Sequence, residues 1–228
     1  MAFGKKAETG IIEIKAPNFK RMDIPLIGTA PYVTNNMSDG SREAMKKGME
    51  GKKVDKKAKS ERPAKDFKAD YEGSLHRDRD ANWIGIPCAA FRASLIRACS
   101  GVGIEMTKGK QAFFIEADGC DKDGKPLVKI TKGKPEYFEA LVKNANGGSD
   151  LRARARFDAG WEALLRVSYD ADMFSETTVA NLTLRAGMTV GVGAGRPFSS
   201  ASAGCGWGTF SIKGLTKEQP KGKEEAAA

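Results

Sequence analysis

Histidine occurs once in this chain of 228 residues, at position 76, and the four cysteines, Cys88, Cys99, Cys120 and Cys205, form no C-x-x-C pair. Structural zinc needs closely spaced Cys and His ligands, so that pattern argues against it. Cys88 and Cys99 lie eleven positions apart on a predicted helix, near one face but too far apart for a disulfide. All four thiols are read as reduced, in the reducing cytoplasm of a bacterial host cell. No window of about 18 uncharged apolar residues occurs, which argues against a membrane span. Residues 1–15 lack the continuous apolar core of a signal peptide. No Gly-Lys-Ser/Thr occurs, so there is no Walker A loop, and no G-x-G-x-x-G stands at a strand-to-helix step. The run Asp121-Lys122-Asp123-Gly124 lacks the remaining ligands and the closing glutamate of a calcium loop and reads as a hairpin turn. Ser199, Ser200 and Ser202 have no histidine nearby in sequence, against a serine hydrolase triad. Neither cofactor nor metal is predicted.

What the sequence does carry is positive charge. The formal net charge is +9, with 40% hydrophobic and 29% charged residues. Such an excess attracts polyanions such as nucleic acid. It is concentrated: residues 42–68 hold 11 basic and 5 acidic side chains, a net of +6. Lys52, Lys53, Lys56 and Lys57 sit in this run, where large apolar residues are few. A segment this polar buries little surface. Residues 36–80 are therefore expected to form a basic, mobile insertion with a short helix at 42–49. A solvated loop is the competing reading. His76, beside Arg77, Asp78 and Arg79, reads first as a surface histidine in a charged loop; acid or base in RNA cleavage is the alternative.

The remaining pattern is mixed α and β. Strands are expected at 11–15, 24–34, 112–117, 127–130 and 137–143, the second an edge strand or an irregular extended run because of Pro25 and Pro31. A helix is expected over 88–100, with Cys88, Phe91, Leu95 and Ala98 or Cys99 on its buried stripe and Arg92 and Arg97 off it. Pro87 and Gly101 mark its ends. Strands at 150–157 and 161–169 read as a hairpin across Asp158-Ala159-Gly160. A helix capped by Ser175 is expected to run to Gly187, followed by strands at 188–192 and 207–212. The tail from 213 to 228 is expected to be disordered. No internal repeat is visible. Together this predicts one α+β domain, with a ferredoxin-like (RRM-like) antiparallel sheet, helices on one face, and the basic insertion.

Two constellations could carry binding. Arg152, Arg154 and Arg156 alternate with Leu151, Ala153, Ala155 and Phe157, so a strand places the arginines on one face about 6.6 Å apart. Like charges in a row repel unless neutralised. Phosphates of an extended strand have comparable spacing, and guanidinium groups grip them bidentately. Cross-strand glutamates such as Glu139 or Glu162 are the competing partners. The second is the glycine-rich stretch with Gly191, Gly193, Gly195, Gly204, Gly206 and Gly208. Glycines there permit close backbone approach and can present amides to phosphate. Arg196 adds charge, and Phe198 or Trp207 a stacking surface. A long flexible loop is the plainer reading.

Two segments taken together resemble the RAMP superfamily, the repeat-associated proteins of CRISPR effector complexes. One is Ile86-Pro87-Cys88 through Arg97, similar to that family's Ile-Pro, small residues and basic helix. The other runs from Gly193-Ala194-Gly195-Arg196 to Gly204-Cys205-Gly206-Trp207-Gly208-Thr209-Phe210, similar to its glycine-rich loop and final strand. The resemblance covers roughly residues 83–212. The same stretch also resembles uncharacterised phage-encoded proteins. It implies a ferredoxin-like core, single-stranded RNA or DNA as partner, stacking into a homo-oligomer or filament, contact with other effector subunits, and 36–80 as a thumb-like element. The histidine that RNA-cutting members carry in the first helix is missing, which points to binding rather than cleavage. A metal-independent endoribonuclease using His76 and a phage assembly protein remain as the other two readings.

Overall fold

Residues 15–36, 39–50, 66–143, 149–199 and 205–214 are described by a computed structural model of the chain. Its strands are β1 (Phe19–Gly28), β2 (Tyr32–Val33), β3 (Gly85–Pro87), β4 (Phe113–Glu116), β5 (Gly119–Cys120), β6 (Pro126–Lys132), β7 (Glu136–Lys143), β8 (Ser149–Phe157), β9 (Glu162–Asp170) and β10 (Phe210–Ile212). Its helices are α1 (Asp39–Met49), α2 (Phe67–Ser74), α3 (Cys88–Ser100), α4 (Met106–Ala112) and α5 (Glu176–Arg185). The architecture is α+β with antiparallel sheets.

The main sheet runs β10-β1-β9-β6-β3, with β4 pairing the far half of β9 and β5 pairing β6. All of these pairs are antiparallel. Ile24 and Leu26 of β1 alternate with Ala163, Leu165, Val167 and Tyr169 of β9 on the buried face. Pro25 lies on the stretch of β1 just beyond the three residues that β10 pairs, where its missing N–H costs no ladder bond. α3 and α5 pack together on the buried side. Phe91 and Leu95 of α3 and Val179 and Leu182 of α5 join the sheet residues in one core. The stripe read from the sequence, Cys88, Phe91, Leu95, Ala98 and Cys99, is buried. No helix among the described residues is long and apolar enough to cross a membrane.

A second sheet, β2-β8-β7, stands beside the first. Here the structure departs from the sequence reading. β8 and β9 do not form a hairpin: β8 pairs with β7 and β2, whereas β9 pairs with β1, β4 and β6. Trp161 sets the corner. It is fully buried, its Nε1 donates to the Ala30 carbonyl at 3.1 Å, and its ring meets Tyr32 and Phe210. Burying that indole turns the chain out of one sheet and into the other. The turn at 121–125 does close a short hairpin, β5–β6, with Asp121 Oδ1 accepting from the amides of Asp123 and Lys125.

The end of α5 is a second correction. Ser175 caps it, accepting from the Thr178 amide. The helix does not stop at Gly187 but runs on as a π-turn over Ala186–Val190, where a strand was expected. Gly187 is there for space: a Cβ would collide with the Phe210 carbonyl. In the basic segment, α1 forms where a short helix was expected. The expectation of a mobile segment over all of 36–80 does not hold at its C-terminal end, where α2 packs along β8 and Ser74, Leu75, His76 and Asp78 are buried. Residues 51–65, with Lys52, Lys53, Lys56 and Lys57, lie outside the described residues. So do residues 11–14 of the strand expected at 11–15, Gly204, and the expected tail from 215 onward; Lys15 is described and is not in a strand.

Candidate nucleic-acid interface

α3 turns Phe91 and Leu95 inward, which leaves Ala90, Ala93, Ser94 and Arg97 toward its other side. Opposite them lies the chain leaving the π-turn, from Val190 through Phe198. Between the two is a cleft of about 310 Å³. Its floor is small side chains and glycine backbone; its rim carries Arg97, Arg196 and Phe198, and no carboxylate lines it among the described residues. The Arg97 guanidinium sits 4.0 Å from the centre of the Phe198 ring. Arg196 donates from Nη1 to the Gly193 carbonyl at 3.1 Å, which holds its head near the mouth. α3 and the glycine-rich stretch thus meet in space.

Several backbone amides of the glycine-rich stretch, which the sequence suggested could face phosphate, are taken up inside the fold. The amides of Val192, Ala194, Trp207 and Gly208 donate to the carbonyls of Gly208, Val33, Gly195 and Pro31. The loop is therefore sewn to itself and to the β1–β2 connection, not held open with those amides outward. Gly191, Gly193, Gly195, Gly206 and Gly208 all have positive φ. At Gly193 a Cβ would stand 2.5 Å from the Val33 oxygen, so glycine is what lets the loop lie against β2.

The arginine face of β8 is not the open stripe expected. Arg154 is buried and its Nη1 donates to the Thr34 carbonyl at 3.4 Å. Arg152 and Arg156 are half-buried. Arg156 pairs with Asp158 at 3.0 Å and lies over the Phe138 ring. Neither acid named from the sequence supplies the partner. Glu139 stands opposite Ala153, on the other face, and Glu162 belongs to the main sheet, bonded to Lys132 and Lys213. The face does reach the glycine-rich loop: Phe138, opposite Arg154, meets the Trp207 ring at 5.5 Å, and Trp207 packs on Gly195. Arg92 faces elsewhere. It donates to the carbonyls of Phe113 and Lys110 and so ties α3 to the end of α4.

His76 is buried rather than at the surface. Its Nδ1 lies 3.7 Å from Asp121 Oδ2 and makes no hydrogen bond among the described residues. Burial holds its pKa below the ordinary value, with Lys125 adding to the effect and Asp121 opposing it. Above it is a second cleft of about 200 Å³, which His76 does not line. The arginines there are matched by acids: Arg42 with Asp123, Arg77 with Glu72, and Arg79 with Asp80. The Asp121 partner, the Arg42–Asp123 link and the alanine–serine floor of the first cleft were not singled out from the sequence. Only the last had a signal there, the run of small residues in α3.

The chain matches no protein-family model, and no curated protein matches it at a significant level.

Proposed function

We propose that this protein binds single-stranded nucleic acid without cleaving it, as a RAMP-like backbone subunit that assembles along the strand. The observation that carries the reading is the convergence of α3 and the glycine-rich loop on one cleft with two guanidinium groups and no lining carboxylate. Such a groove favours phosphate by charge and geometry. The strand and helix sequence β1-α3-β4-β9-α5-β10, with β10-β1-β9-β4 as antiparallel neighbours, supports a ferredoxin-like core. A general base must come within hydrogen-bond reach of the proton it takes. The burial of His76 away from either cleft mouth therefore weighs against the ribonuclease alternative. One such unit contacts few nucleotides, so copies joined along a strand gain avidity.

The test is a salt titration of binding to single-stranded RNA and DNA, with the double variant R97Q/R196Q. Each lost phosphate contact lowers the slope of log K against log salt by about 0.7 on single strands, so the double variant should lose about 1.4. An unchanged slope in a folded variant refutes the assignment of this cleft. Absence of binding by the unmodified protein at about 50 mM salt refutes nucleic-acid binding altogether.

A further inference from the structure

We propose that Phe198 is a stacking platform for one unpaired base, and that the α3 cleft thereby selects single strands over duplex; this rests on the nucleic-acid reading above. The ring is 46% exposed at the cleft rim. Its backbone amide donates to the Val190 carbonyl at 3.3 Å, so the residue is pinned to the cleft wall. The Arg97 guanidinium at 4.0 Å covers part of the ring, and Arg97 is itself exposed. A cation on an aromatic ring strengthens a further stacking partner on its other side, giving guanidinium, ring and base in sequence.

The other aromatic candidates are spent or badly placed. Trp207 meets Phe138 edge-on and packs against Gly195. Phe19 and Phe114 form an exposed pair on the open face of the main sheet, their centres 5.7 Å apart. Of the arginines near that pair, Arg21 bonds Asp23 and Glu116, Arg166 bonds Asp118, and Arg92, 5.1 Å from the Phe114 ring, is held by the Phe113 and Lys110 carbonyls. A phosphate chain crossing that face would meet three carboxylates. At the α3 cleft it meets Arg97 and Arg196 instead. A cleft of about 310 Å³ lies at the small end of ligand sites and suits one nucleotide unit. In a duplex both faces of an internal base are stacked, so only an unpaired or terminal base can lie on Phe198. Every base offers a π-face, so the contact tolerates any sequence.

The experiment compares the unmodified protein with F198A and F198W on three ligands: a single-stranded oligonucleotide, the same strand with abasic sites throughout, and its duplex. F198A should weaken single-strand binding by roughly 5- to 150-fold with the salt slope unchanged. F198W should restore it. The abasic strand should bind the unmodified protein about as weakly as the normal strand binds F198A, and F198A should change duplex affinity little. Unfolding in urea confirms that the variants are folded. Equal single-strand affinity of F198A and the unmodified protein, with the slope intact, overturns the stacking assignment and leaves the binding reading standing. An equal loss on duplex overturns the selectivity. No binding of any ligand by the unmodified protein overturns both.

Discussion

Gly206 and Gly208 stand two residues apart with nearly the same backbone conformation, φ of 72° and 68°. Their surroundings differ. A Cβ on Gly206 would meet nothing within 4 Å among the described residues, whereas one on Gly208 would land on the Val192 carbonyl. Replacing each with alanine therefore separates the cost of a left-handed backbone from the cost of lost space. The left-handed conformation costs an L-residue about 1–2 kcal/mol, so Gly206→Ala should lose about that much stability. Gly208→Ala incurs the same cost plus overpacking of about 1–3 kcal/mol. It also disturbs two backbone bonds, Val192 N–H to Gly208 O and Gly208 N–H to Pro31 O, each about 1 kcal/mol. A total of about 3–6 kcal/mol follows if one of the two bonds is lost. For a chain of this size that lowers Tm by roughly 6–24 °C, against roughly 2–8 °C for Gly206→Ala. Equilibrium urea unfolding with fitted m-values measures both. Equal losses, within about 0.5 kcal/mol, would refute the claim that Gly208 is required for close approach of the loop to Val192.

Two further outcomes are expected. His76 is buried with its pKa held below about 6.5, so between that folded value and 6.5 the unfolded chain binds the extra proton. Stability should therefore be flat above pH 6.5 and fall as the pH drops below it. H76Q should flatten that part of the curve in urea midpoints between about pH 7.5 and 5; an equal slope in H76Q would show that another group is responsible. Arg92 joins α3 to α4 through two backbone carbonyls, so R92A should cost about 2 kcal/mol of stability and leave the salt slope of binding unchanged; a lower slope would return Arg92 to the interface.

The sequence by itself determined the elements whose signals are local. Residues 88–100 became α3 at the boundaries read from Pro87 and Gly101, because a buried stripe at helical spacing and its end residues act within one segment. The Ser175 cap and the β5–β6 turn were legible for the same reason. The alternation in β8 was legible at Ala153, Ala155 and Phe157, which are buried on one face, but Leu151, expected with them, is exposed. What covers the opposite face depends on chain far away in sequence. Thr34 buries Arg154 from 120 residues upstream, and register puts Glu139 on the wrong side. Only tertiary packing decided that β8 and β9 part company at Trp161, whose indole needed the Ala30 carbonyl and the Tyr32 ring. Only it decided that Arg97 and Phe198, 101 positions apart, share one cleft while Arg92, on the same helix, holds α4. A helix presents side chains in several directions, and which direction faces an open groove depends on what the other elements have already covered.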